Sequence, residues 1–500
     1  MKSRDAILGM AVGEAMGIPV DFVERDKLLE NPVLEMKCFG SHNKPIGTWS
    51  SDTAMALATI DSITNCFGVS MEDLGNRFVD WMEKGKYTAS GDRFDIGRTT
   101  MIAISRFEKT LDPFECGSMA EDSNENDVLT RMIPIAFYCY NSKMSQNEVY
   151  DLVKKVAGIT HSHEISVLGA YIFVLYIMKL LDKKSKFDAY QELKKSNYSQ
   201  FSRSSMEKYV RILRKDIASL PMEAITTGNG IVETLEAVLW VFLNTSNYNQ
   251  AIIGGINLGG DASTLGACLG ALAGISFGIK SMNPEWRIDL KRYTYISRLC
   301  DSFDESMKSP EKKTIKPNPI LGKEDKIIKI ILGDITKLNV DTYVNAANNS
   351  LLGGSGVDGA IHAACGPELL KKCEQLEGCE TGEAKITLGY KSKADYIIHT
   401  VAPKWYDSKE NEREKLLRKC YESAICLAED FDCKRVAFPC LGMGTYGCPL
   451  EVGGKIAIDF AISQARRRDL KLENIYLVCY DNDQYEYYTS YFNEAKYRES

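Results

Sequence analysis

Two domains of different class are predicted: an all-α domain over residues 1–305 and a three-layer α/β/α domain over residues 326–500, joined by a linker at 306–325. Three observations carry this. The stretch KSPEKKTIKPNPILGKEDK, residues 308–326, places Pro310, Pro317 and Pro319 among lysines, which breaks any helix and keeps the segment wet. Before it the apolar residues recur at helical spacing. After it short β-branched runs alternate with helical stretches, the pattern of a sheet covered by helices.

In the first part, stripes run through Met101–Glu108, Tyr150–Ala157 and Tyr209–Leu220, and Leu235, Val238, Leu239 and Phe242 follow i, i+3, i+4, i+7. The most apolar helix-length run, Val167–Met178, is shorter than the roughly 20 residues of a bilayer span and reads as a buried core helix. The small residues Gly266, Ala267, Gly270, Ala271, Ala273 and Gly274 read as a close helix contact. In the second part, strands are expected at Ile327–Leu332, Thr342–Asn345, Tyr396–Val401, Arg435–Phe438 and Ile475–Tyr480, with helices at Arg413–Glu429 and Val452–Arg466.

Composition excludes several classes. With 44% hydrophobic and 26% charged residues the chain is globular, and 61 basic against 68 acidic residues leave a net charge of −7, which provides no field for a general nucleic-acid binder. The 15 cysteines are scattered with no C-x-x-C pair, so reduced thiols in a cytoplasm are expected. The first residues, MKSRDAILGMAVGEAMGIP, carry Asp5 and Glu14 and no convincing cleavage site, which argues against a signal peptide and, with the short apolar run, against a membrane partner.

Three segments follow strands directly: Gly333–Ile335, Asn345–His362 and Phe438–Pro449. At the carboxyl ends of strands such loops converge on one crevice, and their glycines let backbone N–H groups approach a phosphate. Gly442 to Gly447 match G-x-G-x-x-G, but a dinucleotide fold needs that turn in its first βα unit, and here it lies near the chain end with Pro449 behind it. NAAN, LLGGSGVDGAIH, HTVAPKW and FPCLGMGTYGCP, in this order, resemble a macrodomain of the branch that removes ADP-ribose from proteins. That resemblance implies adenine contacts from Asp334, with Ile335 beside it, and from Tyr480. It implies phosphate cradles at Gly354, Ser355, Gly356 and Val357 and at Gly442, Met443, Gly444, Thr445 and Tyr446. It further implies that Asn348 and Asp358 hold the distal ribose and align or activate water at its anomeric carbon, with no cofactor required. Gly442 stands where many relatives have serine.

GMAVGEAMGIPVDF, GTWSSDTAMAL, THSHE, IVETLEAVLWVFLNT and INLGGDASTLGACLGALAGISFG resemble the ADP-ribosylglycohydrolase family, which is all-α. The resemblance implies Mg²⁺ or Mn²⁺ ligands at Ser50, Asp52, Asp261 and Thr264, with serines at Ser51 and Ser263 where the family has aspartates. It places Asp21 and His161 on the substrate. Two ions would bring four positive charges against Asp52 and Asp261, plus whatever Asp21 supplies, so a weak or single-ion site is expected. Asp127 sets an anion where the family's phosphate-contacting loop lies, and the His161/His163 pair, with no carboxylate cluster beside it in sequence, reads as a helix-start or substrate-lining feature. The function expected is reversal of protein ADP-ribosylation, centred on the macrodomain, with the first domain a second or degenerate hydrolase. The alternatives are a non-catalytic reader of ADP-ribosylated partners and an O-acetyl-ADP-ribose deacetylase.

Overall fold

The computed structural model describes residues 3–308, 324–407 and 410–496, and the chain divides into two compact units, Met1–Lys313 and Thr314–Ser500. That division falls within the predicted linker, of which residues 309–323 lie outside the described residues.

The first unit is built from helices. At its centre Ser3–Gly17 lies along Ala262–Phe277. The contact is made by matched small residues: a Cβ at Gly9 would collide with the carbonyl oxygen of Gly270, and one at Gly13 with that of Gly266. Backbones can approach this closely only without side chains between them, which is the role expected of the glycine and alanine series. The pairing brings Glu14 and Asp21, in and just beyond the first helix, toward Asp261 and Ser263 at the start of the second.

Helix Glu164–Leu181 contains the predicted apolar run. By length and composition it could cross a membrane, yet 83% of it is buried within the unit, as a core helix should be. Gln146–Gly158 starts at a reciprocal capping box between Ser145 and Glu148. The stripe expected over Tyr209–Leu220 is not one helix. It breaks into Val210–Leu213 and a 3₁₀ turn at Ile217–Ser219. The Tyr190 hydroxyl donates to the Ile212 carbonyl at 2.7 Å, occupying an acceptor that a continuing helix would use, and Pro221 bars extension beyond Leu220.

The second unit holds a six-stranded mixed sheet in the order β1-β6-β5-β2-β4-β3. Its strands are β1 Ile328–Leu332, β2 Thr342–Ala346, β3 Ala384–Leu388, β4 Tyr396–Thr400, β5 Arg435–Pro439 and β6 Asn474–Cys479. All neighbours are parallel except β3, which runs antiparallel to β4 at the edge. The five parallel strands match the predicted runs. The edge strand β3 was not anticipated, because in AKITL only Ile386 and Thr387 are β-branched, too short a run to stand out. Glu410–Asp430 on β3 and β4 and Asn482–Ala495 on β1 and β6, joined by Leu450–Ala465, form one outer layer, and Gly356–Cys365 on β2 with Pro367–Gln375 on β3 form the other, giving the α/β/α layering. Since the parallel strands share a direction, the loops after β1, β2, β5 and β6 open at one edge.

Candidate functional site

In the second unit the loops after β2 and β5 enclose a cavity of about 300 Å³. Asn348, Gly354, Ser355, Gly356, Val357, Asp358, Gly442, Gly444, Thr445 and Tyr446 line it, with Cys440 at its floor. Gly356, at φ +63°, starts the helix Gly356–Cys365, so that helix points its N-terminus at the cavity and places Asp358 in its first turn. Gly354 lies between the two residues expected to do chemistry: a Cβ there would sit 2.9 Å from Asp358 Oδ2 and 3.7 Å from Asn348 Nδ2. The cavity therefore offers backbone amides, a helix terminus and one carboxylate, a composition suited to a ribose linked to a diphosphate.

Asp358 is buried, and burial raises its carboxyl pKa, opposed by a hydrogen bond from Asn345 Nδ2 at 2.7 Å. Asn345 belongs to the NAAN run but was not singled out from sequence. Its amide also lies 3.1 Å from His399 Nδ1. Burial pushes His399 down to about 3, so its ring is neutral. Asn345 Nδ2 can only donate, so His399 Nδ1 accepts there, and the ring proton sits on Nε2, 3.0 Å from Thr387 Oγ1. The orientation of the Asn345 amide, and hence its hydrogen bond to Asp358, is thus fixed from behind by a neutral histidine.

Asn348 is engaged locally. It donates to Gly353 O at 2.8 Å and accepts from Ser350 and Leu351, shaping the loop that carries Gly354. Asp334 accepts from the backbone and hydroxyl of Thr336, capping a short turn. Ile335 is buried in the core under the sheet, which leaves its backbone alone available to a ligand. The Met443 side chain turns toward Gly453 and Tyr488. Tyr480, one residue past β6, presents an exposed ring.

In the first unit an acidic floor forms around Ser50, Asp52 and Asp261. It holds more carboxylates than the sequence count. Besides Asp21, Asp52 and Asp261 it includes Glu14, from the segment that carries Asp21, and Asp95, from a segment carrying no expected ligand. Glu14 accepts from the Ser50 and Thr53 amides and the Ser50 hydroxyl, so it pins the start of helix Ser51–Cys66. Asp95 Oδ2 lies 3.2 Å from both Ser50 Oγ and Ser263 Oγ, and Ser51 Oγ donates to the Asp95 carbonyl. Asp261 caps its helix through Thr264 N and accepts from Asn126 at 2.9 Å. Asp52 accepts from Thr130.

Asp21 is buried with both oxygens engaged, Oδ1 by Ser263 N at 2.6 Å and Oδ2 by His42 Nε2 at 2.9 Å. Burial and its acidic neighbours raise the group to about 7, and the bond to Asp21 raises His42. Burial raises Asp261 to about 6 and holds Asp52 well above the carboxylate range. Anions crowded in this way favour either protons or a cation. Among the described residues, the group on this floor whose ligand atoms lie within 4.8 Å of one another is Asp21, His42 and Asp95. The hydroxyls of Ser51 and Ser263, where carboxylates were expected, point to the Asp95 carbonyl and carboxylate instead.

His163 caps helix Glu164–Leu181, accepting from Ile165 N, as its helix-start reading requires. His161 differs from expectation: it is fully buried, and Glu125 and Asp127, remote in sequence, lie beside it.

Residues 1–313 match the family profile described as ADP-ribosylglycohydrolase, and residues 344–457 match that described as Macro domain. The chain is 44% identical over 172 residues to O-acetyl-ADP-ribose deacetylase 1 of Pantoea vagans, covering 34% of this chain and 99% of that protein. It is 36% identical over 212 residues to ADP-ribose glycohydrolase MACROD2 of Xenopus laevis, covering 42% of this chain and 51% of that protein. A solved structure titled ADP-ribosylglycohydrolase-related protein complex covers 61% of this chain and 98% of its own at TM-score 0.52 and 23% identity, a likeness of fold.

Proposed function

Since the chain belongs to the ADP-ribosylglycohydrolase family through residues 1–313 and carries a macro domain behind them, we propose that it removes ADP-ribose from modified proteins, with turnover in the macro domain. The observation that carries this is the Asn345–Asp358 hydrogen bond at the end of a cavity walled by backbone amides. The diphosphate is held by the loops 354–357 and 442–446, and the distal ribose reaches Asp358. Its carboxylate orients a water at the anomeric carbon and stabilises the positive charge that develops there as the bond to the protein breaks. Tyr480 offers an aromatic face and Asp334 an acceptor for the adenine. The resemblance to a named O-acetyl-ADP-ribose deacetylase favours a second substrate in the same cavity, the acetyl ester of ADP-ribose.

The first unit holds one Mg²⁺ at Ser50, Asp52 and Asp261, with Asp95 in place of the lost carboxylates, and binds more weakly than a full two-ion site. When bound, the ion supplies positive charge against a developing oxyanion. The test is release of ADP-ribose from Glu-, Ser- and Arg-linked substrates by the full chain, with and without Mg²⁺, in wild type and in Asp358→Ala and Asp52→Ala. Loss on Asp358→Ala with no dependence on Mg²⁺ assigns turnover to the macro domain. Activity retained in Asp358→Ala and abolished in Asp52→Ala would place it in the first unit instead.

A further inference from the structure

Apart from the acidic floor, the first unit contains a buried cluster with unsatisfied polar atoms. His161 is fully buried and its Nε2 has no hydrogen-bond partner, and the same holds for Asp127 Oδ1. These two atoms face one another at 3.3 Å, and Glu125 Oε2 lies 3.9 Å from the same nitrogen. All three ligand atoms fall within 4.8 Å of one another. Buried polar atoms without partners are rare and costly, so two of them meeting at one point mark a place where something binds.

We propose that Glu125, Asp127 and His161 bind one divalent transition-metal ion of the zinc class. The geometry suits it: two donors each about 2.0–2.1 Å from a tetrahedral ion stand about 3.3 Å apart, the spacing of His161 Nε2 and Asp127 Oδ1. The chemistry suits it as well. Two carboxylates neutralise the ion's charge, and an imidazole nitrogen favours zinc, copper, iron or nickel over magnesium.

The groups behind the ligands hold them in place. Thr160 Oγ1 lies 2.8 Å from His161 Nδ1 and can accept a hydrogen bond from its N–H, aiming the Nε2 lone pair at the carboxylates. Thr100 Oγ1 donates to Asp127 Oδ2, and Thr99 N donates to Glu125 at 2.9 Å. Three protein ligands leave a fourth position for water or a phosphate oxygen. In this way a loop that carries acidic side chains could still accept an anionic ligand, with the ion between them.

The experiment uses chelator-treated full-length protein titrated with Zn²⁺ against a chromogenic competitor. With the acidic floor filled by excess Mg²⁺, wild type and His42→Gln should each bind one tight equivalent of Zn²⁺, and the affinity for it should fall by ~100-fold or more in Asp127→Asn and in Glu125→Gln, since even outer-shell changes cost 10–100-fold. Asp127→Asn is isosteric, and Glu125→Gln lies at the partly exposed edge of the cluster, so at least one folded variant, checked by circular dichroism, is available. An ion pair between protonated His161 and the two carboxylates predicts no bound equivalent, and that result overturns the proposal. Equal affinity in wild type and a folded variant, or loss of the equivalent in His42→Gln alone, overturns it too.

Discussion

Replacing Ser263 by aspartate supplies the carboxylate that the resemblance implies at this position, and the structure sets what this costs without a cation. Ser263 is fully buried, and its hydroxyl lies 3.2 Å from Asp95 Oδ2 and 3.2 Å from Asp261 Oδ1. In Ser263→Asp a third anion would face both. At about 4 Å and an effective dielectric of ~20, each repulsion is worth about 4 kcal/mol. Protonation limits the loss: lifting one carboxyl from about 4 to about 7 at ~1.4 kcal/mol per unit caps the cost at pH 7 near ~4 kcal/mol. For a domain of this size that corresponds to a fall of ~10 °C in melting temperature. Mg²⁺ should return most of it, because the new carboxylate is also a ligand. The assay is calorimetry of the full chain at pH 7 in chelator and in Mg²⁺, following the transition of the first unit. The reasoning is refuted if Ser263→Asp melts like wild type in chelator, or if Mg²⁺ raises both proteins equally.

Asp358→Ala should lower release of ADP-ribose by ~10²–10⁴-fold with binding of ADP-ribose retained, read by kinetics and calorimetric titration. His399→Phe removes the acceptor that orients Asn345, so kcat should fall ~10-fold with KM little changed, and an unchanged kcat would show that the amide is held by other means. Stability of the first unit should decline as pH rises. Asp21 near 7 and Asp261 near 6 keep protons in the folded state that the unfolded chain has released above about 4, so their contribution is present at low pH and is lost as pH passes 6 to 7. Unfolding free energy should therefore be lower at pH 8 than at pH 5 in chelator, by a few kcal/mol, read as a lower melting temperature, and Mg²⁺ should flatten the difference.

What the sequence disclosed and what it hid follow from contact distance along the chain. The cradles at 354–357 and 442–446 are contiguous, so their glycines and their position after strands identify them directly. The helix contact of Gly9 and Gly13 with Gly270 and Gly266 was legible from spacing on one partner. Asp95 and His42 were not. Asp95 lies in a loop and His42 ends the 3₁₀ turn Gly40–His42, neither with any periodicity, and only the packing of helix Ser3–Gly17 on Ala262–Phe277 brings Asp21 and Ser263 to them. Asn345 stood inside a quoted motif, but its role depends on His399, 54 residues away on the neighbouring strand. The carboxylates beside His161 were hidden for the same reason. The break after Leu213 required knowing that Tyr190 reaches the Ile212 carbonyl.

The two serines of the acidic floor are more than missing ligands. Each exchange of aspartate for serine removes one negative charge and adds one proton donor, and the donors converge: Ser263 reaches the Asp95 carboxylate and Ser51 the Asp95 carbonyl, while Ser50 stands 3.2 Å from the same carboxylate. A pocket with two further carboxylates would be strongly self-repelling unless an ion occupied it, as the cost worked for Ser263→Asp indicates. With serines, the remaining anions are held by hydroxyls, by the Asn126 amide and by the His42 ring, and they also retain protons near neutral pH. The serines therefore lower the dependence of the fold on a cation, and under the single-ion reading proposed above Asp52, Asp95 and Asp261 would remain to hold one. On that reading folding and ion binding should be separable in this unit, in contrast to a site whose carboxylates are tolerated only when metal neutralises them.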